Sequence, residues 1–287
     1  MTIRTVGVLG AGLMGSGIAQ VVAASGYQAI LHDVDSRALD RALARITKLL
    51  NDGVAKGKLA ADAPAFTLAH LQRTSSLDAL AACDVVIEAI VENTDAKHAA
   101  FAAVEAVVRP DTVLLSNTSS ICITELAAAT RRPDRFAGLH FFNPVPRMAL
   151  VEVIRALTTS DETHRLATDF ARAIGKEPID APDRPGFIVN RLLIPYLLDA
   201  IRAHENGLGS IEAIDKGMTL GCGHPIGPFA LLDFVGLDTA YHVANIMFEE
   251  FREPAYAPPP LLKRMVLAGW LGRKSGRGFY VYGQNRG

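Results

Sequence analysis

A short apolar strand that runs into a glycine-rich turn opens the chain. Residues 6–15 read VGVLGAGLMG, and the last six have the spacing Gly-x-Gly-x-x-Gly. In a strand–turn–helix unit, Gly10 permits the tight turn, Gly12 lets the backbone approach a diphosphate, and Gly15 lets the helix pack closely on the strand. The helix N-terminus favours an anion because its N–H groups lack partners. The motif predicts a dinucleotide-binding turn, with Leu13 and Met14 also at the cofactor.

An acidic residue follows the next apolar strand, residues 29–32. Asp33 lies where this fold places a carboxylate that accepts hydrogen bonds from the adenosine ribose. The same charge repels a 2′-phosphate, which predicts NAD, with NADP as the alternative because Arg37 offsets part of that repulsion. A plainer interpretation is that Asp33 or Asp35 only caps the next helix.

Composition limits the classes of protein that remain. The chain has 287 residues, 49% hydrophobic and 21% charged, which is enough to bury more than one core. A formal net charge of −1 leaves no general basic surface for nucleic acid or anionic lipid. Three cysteines without Cys-x-x-Cys spacing indicate a reducing compartment without disulfides or metal clusters. With no signal peptide and no apolar run of membrane length, we expect a cytoplasmic protein that binds no metal, nucleic acid or membrane.

Apolar runs alternate with helical stretches up to residue 184, which predicts an α/β fold with a Rossmann-type, mostly parallel sheet. Further candidate strands cover 84–89, 112–116, 136–142, 150–154 and 177–181. About fifty residues separate Asp33 from the next of these strands, whereas a crossover needs only about a dozen, so we expect an insertion. A helix over 36–50 and a second helix returning toward Leu71 predict a helical hairpin with Lys56 and Lys58 at its tip. These lysines either reach an anionic part of a substrate or, as their spacing alone favours, form a solvated pair on a turn.

The pattern of apolar residues changes after residues 183–186, Asp-Arg-Pro-Gly. A Pro-Gly pair is typical of a boundary, and long helical patterns follow it over 191–205, 211–220 and within 227–251. We therefore expect a cofactor-binding domain over 1–184 and an all-helical C-terminal domain over 185–287.

Several polar residues interrupt apolar segments where an open α/β sheet places its ligands. His140 and Glu152 lie in two candidate strands, and Ser119 follows a third. Each has a plain structural explanation: a core histidine, an edge pair, a turn. Together with Asn190 they supply what alcohol oxidation needs, namely a base, a carboxylate that orients it and donors for a developing alkoxide.

Six motifs in order carry a resemblance to a known family. They are GAGLMG at 10–15, EAIVEN at 88–93, SNTSS at 116–120, HFFNP at 140–144, PGFIVNR at 185–191 and KSGRGFY at 274–280. Over essentially its full length the chain resembles the L-3-hydroxyacyl-CoA dehydrogenases, in particular the short bacterial members that act on 3-hydroxybutyryl-CoA.

This resemblance implies roles for individual residues. His140 would be the general base and Glu152 its partner, with Ser119 and Asn190 as substrate contacts. The resemblance places Asp33, Glu92, Lys97, Asn117 and Asn143 at or beside the NAD site. Lys97 would otherwise be interpreted as a solvated helix lysine. Lys56 and Lys58 would contact the phosphates of coenzyme A, and the helical domain would form a homodimer.

One segment departs from the family pattern. After residues 143–146 the relatives usually continue with an apolar residue, Met, Lys and Leu, whereas this chain has Arg147-Met148-Ala149-Leu150. The charge has moved by two positions, which on a strand keeps it on the same face. Two rival functions stay open: a dehydrogenase of free 3-hydroxy acids of the L-gulonate or betaine type, and an NAD-binding protein without catalysis.

Overall fold

The computed structural model describes residues 2–283. The chain divides into two compact units, the first ending at Arg184 and the second beginning at Pro185.

The first unit is built on one eight-stranded sheet, which confirms the predicted α/β class. Its strands are β1 Thr5–Leu9, β2 Gln28–His32, β3 Leu71–Thr74, β4 Val85–Glu88, β5 Val113–Ser116, β6 Phe136–Phe141, β7 Leu150–Ile154 and β8 Glu177–Ala181. Their order is β3-β2-β1-β4-β5-β6-β7-β8. Neighbours pair in parallel except β6 with β7, which are antiparallel. The carboxyl ends of β1, β4, β5 and β6 therefore meet at one edge.

Helices cover both faces of this sheet, as a parallel sheet requires. They are α1 Leu13–Ala24, α2 Ser36–Ala55, α3 Ala63–Ala69, α4 Thr94–Glu105, α5 Ile123–Ala128 and α6 Asp161–Ala173, with 3₁₀ turns at Leu77–Leu80 and Pro133–Arg135. Helices α2 and α3 form the predicted hairpin. The predicted end of α2 at residue 50 is too early, because the helix continues to Ala55.

Strand β3 has no counterpart among the sequence predictions. It contains Leu-Gln-Arg-Thr and lies at the sheet edge, where its central residues are exposed. With so few apolar residues it lacks the signal of a buried strand. The central strands β4 and β5, by contrast, are buried along their whole length and were predicted within one or two residues.

The second unit is helical, with α7 Val189–Glu205, α8 Ile211–Cys222, α9 Pro228–Val235, α10 Leu237–Phe251 and α11 Pro260–Leu267. Short 3₁₀ turns lie at Pro254–Tyr256 and Arg273–Ser275, and the C-terminal segment adds only isolated β-bridges. Gly236, with φ of 103°, separates α9 from α10 within the range 227–251 that was predicted as helical.

Two buried aspartates hold this second unit together. Asp215 accepts from the backbone N–H groups of Phe229 and Ala230 and from the Tyr280 hydroxyl. Asp233 accepts from the N–H groups of Phe279 and Tyr280 and from the Tyr282 hydroxyl. The last motif of the sequence, KSGRGFY, is thus fastened to the helices by carboxylates.

Within residues 2–283, none of the helices combines the length and apolar character that crossing a bilayer would take.

Candidate active site

The glycine turn forms the floor of a cleft at the carboxyl edge of the sheet. The cleft has a volume of about 830 Å³ and is lined by residues 9–14, the end of β2, α2 and residues 89–91. A Cβ on Gly15 would lie 1.8 Å from the Gly10 carbonyl oxygen, so only glycine allows α1 to pack this closely. A Cβ on Gly12 would meet no protein atom within 4 Å, which leaves its backbone open to a ligand. Leu13 is 55% exposed beside it.

Asp33 follows β2 and lines this cleft. Its carboxylate accepts from the backbone N–H groups of Ala11, at 2.7 Å, and Asp35, at 2.9 Å. Asp35, not Asp33, caps α2 by accepting from the Arg37 N–H. The open backbone at Gly12, the helix N-terminus and the carboxylate at the end of β2 together fit a dinucleotide.

A buried ion cluster lies beside the cleft, and its centre is Lys97. This side chain is 1% exposed, and its Nζ lies 2.5 Å from Glu88 Oε1 and 3.2 Å from Glu92 Oε2. The interpretation of Lys97 as a solvated helix lysine is therefore wrong. A signal was present, because Lys97 shares one face of α4 with the buried residues Phe101 and Val104.

Glu88 is the member of this cluster that sequence reasoning missed. It is fully buried and also accepts from the Ser116 hydroxyl, at 2.6 Å, and from the Ile90 N–H, at 2.8 Å. The sequence does contain a signal for Glu88: it is a glutamate at the end of an apolar strand, and a lysine follows nine residues later.

Glu92 connects the cluster to the loop after β5. Its Oε1 accepts from the Ser119 N–H at 2.9 Å, from both the N–H and the hydroxyl of Ser120, and from the Thr118 hydroxyl. Burial alone would raise the pKa of Glu92, but the charge of Lys97 and these hydrogen bonds outweigh it and hold the pKa below its ordinary value.

Asn117 links the same loop to the next strand, because its side-chain oxygen accepts from the Phe141 N–H at 2.8 Å. Phe141 follows His140 in β6. Hydrogen bonds thus connect Glu92 and Ser119 to the strand that carries His140.

His140 and Glu152 face each other across the antiparallel pair β6–β7, where they are register partners. Both are buried, and His140 Nδ1 lies 2.7 Å from Glu152 Oε2. Because a carboxylate accepts but does not donate, Nδ1 carries the proton and a neutral ring has its lone pair on Nε2. The Phe142 ring packs 4.6 Å from the imidazole, centroid to centroid. This is the geometry of an oriented base.

The remaining sequence candidates are described by their own elements. Lys56 and Lys58 are exposed at the tip of the α2–α3 hairpin, and Asn143 is exposed in the turn after β6. Asn190 is the second residue of α7 and belongs to the second unit.

The expectation that Arg147 lies on a strand is wrong. Arg147 is exposed in a turn closed by its N–H bond to the Pro144 carbonyl, and β7 begins only at Leu150. A different cation binds this segment. Lys176 is a buried residue that the sequence analysis does not single out, and its Nζ donates to the carbonyls of Val145 and Met148 at 2.6 and 2.8 Å. Burial lowers the pKa of Lys176.

Comparison with known families gives two matches in sequence order. Residues 5–184 match the NAD binding domain of 3-hydroxyacyl-CoA dehydrogenase, and residues 186–282 match its C-terminal domain. A probable 3-hydroxybutyryl-CoA dehydrogenase of Deinococcus radiodurans is 49% identical over 96% of this chain and 99% of its own length.

Solved structures give the same result. The crystal structure of Mycobacterium tuberculosis FadB2 superimposes with a TM-score of 0.97 at 48% identity, covering 99% of this chain and 100% of that one. The (S)-3-hydroxybutyryl-CoA dehydrogenase PaaH1 of Ralstonia eutropha superimposes with a TM-score of 0.94 at 47% identity, with the same coverage of 99% and 100%.

Proposed function

The chain belongs to the 3-hydroxyacyl-CoA dehydrogenase family, and we propose that it interconverts (S)-3-hydroxyacyl-CoA and 3-oxoacyl-CoA with NAD, using His140 as the base that Glu152 orients. The acyl chain we propose is short, as in 3-hydroxybutyryl-CoA and acetoacetyl-CoA, since the relatives compared above that are named for a substrate are named for this one.

The observation that carries this proposal is the His140–Glu152 pair. It lies in a sheet whose carboxyl edge also carries the glycine turn, and hydrogen bonds tie its strand to the loop of Ser119. A histidine that only filled the core would not need a fully buried carboxylate as its partner, because burying that charge costs free energy.

The residues of the chain divide the chemistry as follows. Bound NAD supplies the acceptor for the hydride that leaves C3 of the substrate. In the same step His140 Nε2 takes the hydroxyl proton, and Glu152 stabilises the imidazolium that results. Ser119 and Asn190 hold the substrate oxygen by hydrogen bonds. In the reverse direction His140 returns the proton to that oxygen.

For the cofactor we assign the glycine turn to the diphosphate and Asp33 to the adenosine ribose, which favours NAD over NADP. Glu92, Lys97 and Asn117 complete the nicotinamide half of the site, with Asn143 beside it. The hydrogen bonds that Glu92 accepts from the Ser119 loop support this assignment, because they couple that half of the cofactor site to a proposed substrate contact. Lys56 and Lys58, exposed on the hairpin tip, are assigned to the phosphates of coenzyme A.

Turnover of matched substrates tests the proposal. We expect NADH-dependent reduction of acetoacetyl-CoA to exceed that of free acetoacetate by orders of magnitude, with NADH preferred to NADPH. Faster turnover of free 3-oxo and 3-hydroxy acids would replace this function with the free-acid dehydrogenase. Tight NADH binding without turnover of either substrate class would instead indicate a non-catalytic NAD-binding protein.

We also propose a homodimer formed through the helical domain. Its surface carries several exposed leucines, among them Leu208 at 79% and Leu220 at 75%, and an interface between two copies would remove apolar area of this kind from water. Sedimentation analysis should give twice the chain mass, and Leu220→Glu should shift it toward the monomer. A monomeric wild type at micromolar concentration would contradict the proposal.

A further inference from the structure

A cation from α2 lies at the glycine turn. Arg45 Nη1 donates to the Gly12 carbonyl at 3.2 Å and to the Ser16 hydroxyl at 2.7 Å. Ser16 belongs to the first turns of α1 and is 1% exposed. Arg45 also lines the cleft together with Gly12 and Leu13. The guanidinium is therefore held at the N-terminal end of α1 by two acceptors of that same end.

The charge of Arg45 is not compensated by a carboxylate. Arg41 lines the same cleft but pairs with Asp35 at 3.1 Å, whereas within residues 2–283 no carboxylate lies within 4 Å of the Arg45 guanidinium. The first turn of α1 contains no acidic residue and Gly12 provides no side-chain cap. The carboxylate beside this turn, Asp33, is bound to the N–H groups of Ala11 and Asp35.

This placement adds positive charge to a helix end that already attracts anions. The N-terminus of a helix carries partial positive charge and normally attracts anions, so a cation there is repelled. An anion between the helix N-terminus and the guanidinium would turn this repulsion into attraction. Both hydrogen bonds of Arg45 to the protein come from Nη1. A guanidinium has five N–H donors in a planar fork that matches phosphate oxygens, so Nη2 and Nε still have donors for a ligand.

We propose that Arg45 binds the diphosphate of the dinucleotide and contributes affinity in addition to the glycine turn. The inference rests on the proposed function, in that NAD occupies this cleft. Coenzyme A carries the same diphosphate chemistry. The contact of Arg45 with Gly12, the residue whose backbone is open to the cleft, favours the dinucleotide over coenzyme A as the ligand.

Binding measurements on Arg45→Gln test this inference. We would titrate wild type and variant with NADH, and with ADP and coenzyme A in competition. Loss of a charge-assisted hydrogen bond predicts affinities for NADH and ADP that fall about tenfold, with the affinity for coenzyme A unchanged. Arg45→Lys, which keeps the charge without the fork, should lie between the two. The matched control is Lys48→Gln, which removes a cation from an exposed position of the same helix that pairs with Asp52.

Salt gives a second measurement. The affinity of wild type for ADP should fall more steeply with ionic strength than that of Arg45→Gln. Added salt screens the attraction between Arg45 and the phosphates, which only the wild type has. Unchanged affinities for NADH and ADP in Arg45→Gln would overturn the inference, and so would a loss confined to coenzyme A. Failure of the proposed function is distinguishable, because the wild type would then bind NADH without reducing acetoacetyl-CoA.

Discussion

Carboxylates accept hydrogen bonds from backbone N–H groups or hydroxyls in both units, but the first unit also places carboxylates against basic side chains. In the first unit Glu152 faces an imidazole, and Glu88 and Glu92 share the ammonium of Lys97. In the second unit Asp215 and Asp233 accept from backbone N–H groups and from tyrosine hydroxyls. Carboxylates of the first kind control the charge of a neighbouring side chain, whereas those of the second kind fix the path of the backbone.

The difference teaches how the cost of burying a charge is offset in each unit. Backbone amides are neutral and immobile, so an aspartate bound to them stabilises one chain conformation. A lysine or histidine partner can carry a positive charge, and the carboxylate stabilises the protonated form of that side chain. We therefore expect substitutions in the first cluster to change activity as well as stability, and substitutions in the second to change stability alone.

The largest effect should come from removing the partner of Glu152. His140→Gln loses the group proposed to donate the proton in this direction, so kcat for acetoacetyl-CoA reduction should fall about a thousandfold, within the range of general acid–base catalysis. NADH affinity should stay at the wild-type value in a fluorescence titration, since the imidazole is not part of the dinucleotide cleft. A kcat within tenfold of wild type would remove His140 from the mechanism.

Lys97→Met sharpens the comparison within the first unit. It leaves the fully buried Glu88 and the partly buried Glu92 without their counter-ion, so the free energy of unfolding should fall by about 3 kcal/mol. Activity should fall with it, because the charge of Lys97 helps to hold Glu92 against the Ser119 loop. The matched control is Lys48→Met, where the exposed ion pair with Asp52 is worth at most about 0.5 kcal/mol. Equal denaturation midpoints for the two variants would contradict the account of the cluster.

Asp233→Asn tests the second unit. An amide group places N–H donors against the donors of Phe279, Tyr280 and Tyr282, so the free energy of unfolding should fall by about 2 kcal/mol. In contrast to Lys97→Met, kcat per folded molecule should equal that of wild type. Asp199→Asn, at a position 70% exposed, is the stability control. A lower kcat with unchanged stability would break the distinction between the two units.

The smallest effect concerns alkaline pH. Burial, with the hydrogen bond to Asp233 and its charge, raises the pKa of Tyr282 to about 12 from 10. The unfolded chain thus ionises this tyrosine before the folded one does, so the stability it contributes is complete below pH 10 and is lost as pH rises from 10 to 12. Tyr282→Phe should cost about 1 kcal/mol at pH 8 and show a weaker fall above pH 10, by urea denaturation. A steeper fall in the variant would contradict the sign.

The sequence predicted most of the fold because its strong signals are local. Glycine spacing and apolar runs located β1, β2 and the central strands, and the long gap after Asp33 located the hairpin. Edge strand β3 was missed because exposed strands need few apolar residues. Contacts between side chains that are far apart in the sequence could not be predicted in the same way. The burial of Lys97 depends on Glu88 and Glu92. Arg45 resembles any solvated arginine of an amphipathic helix until α1 is placed beside it.

The register between β6 and β7 limits how such a chain tolerates insertions and deletions over evolutionary time. His140 and Glu152 lie directly opposite each other in adjacent strands of one local ladder. Extra residues in the connecting segment lengthen only that loop and preserve their separation. A one-residue deletion inside either strand rotates one partner to the opposite side of the sheet and uncouples the pair.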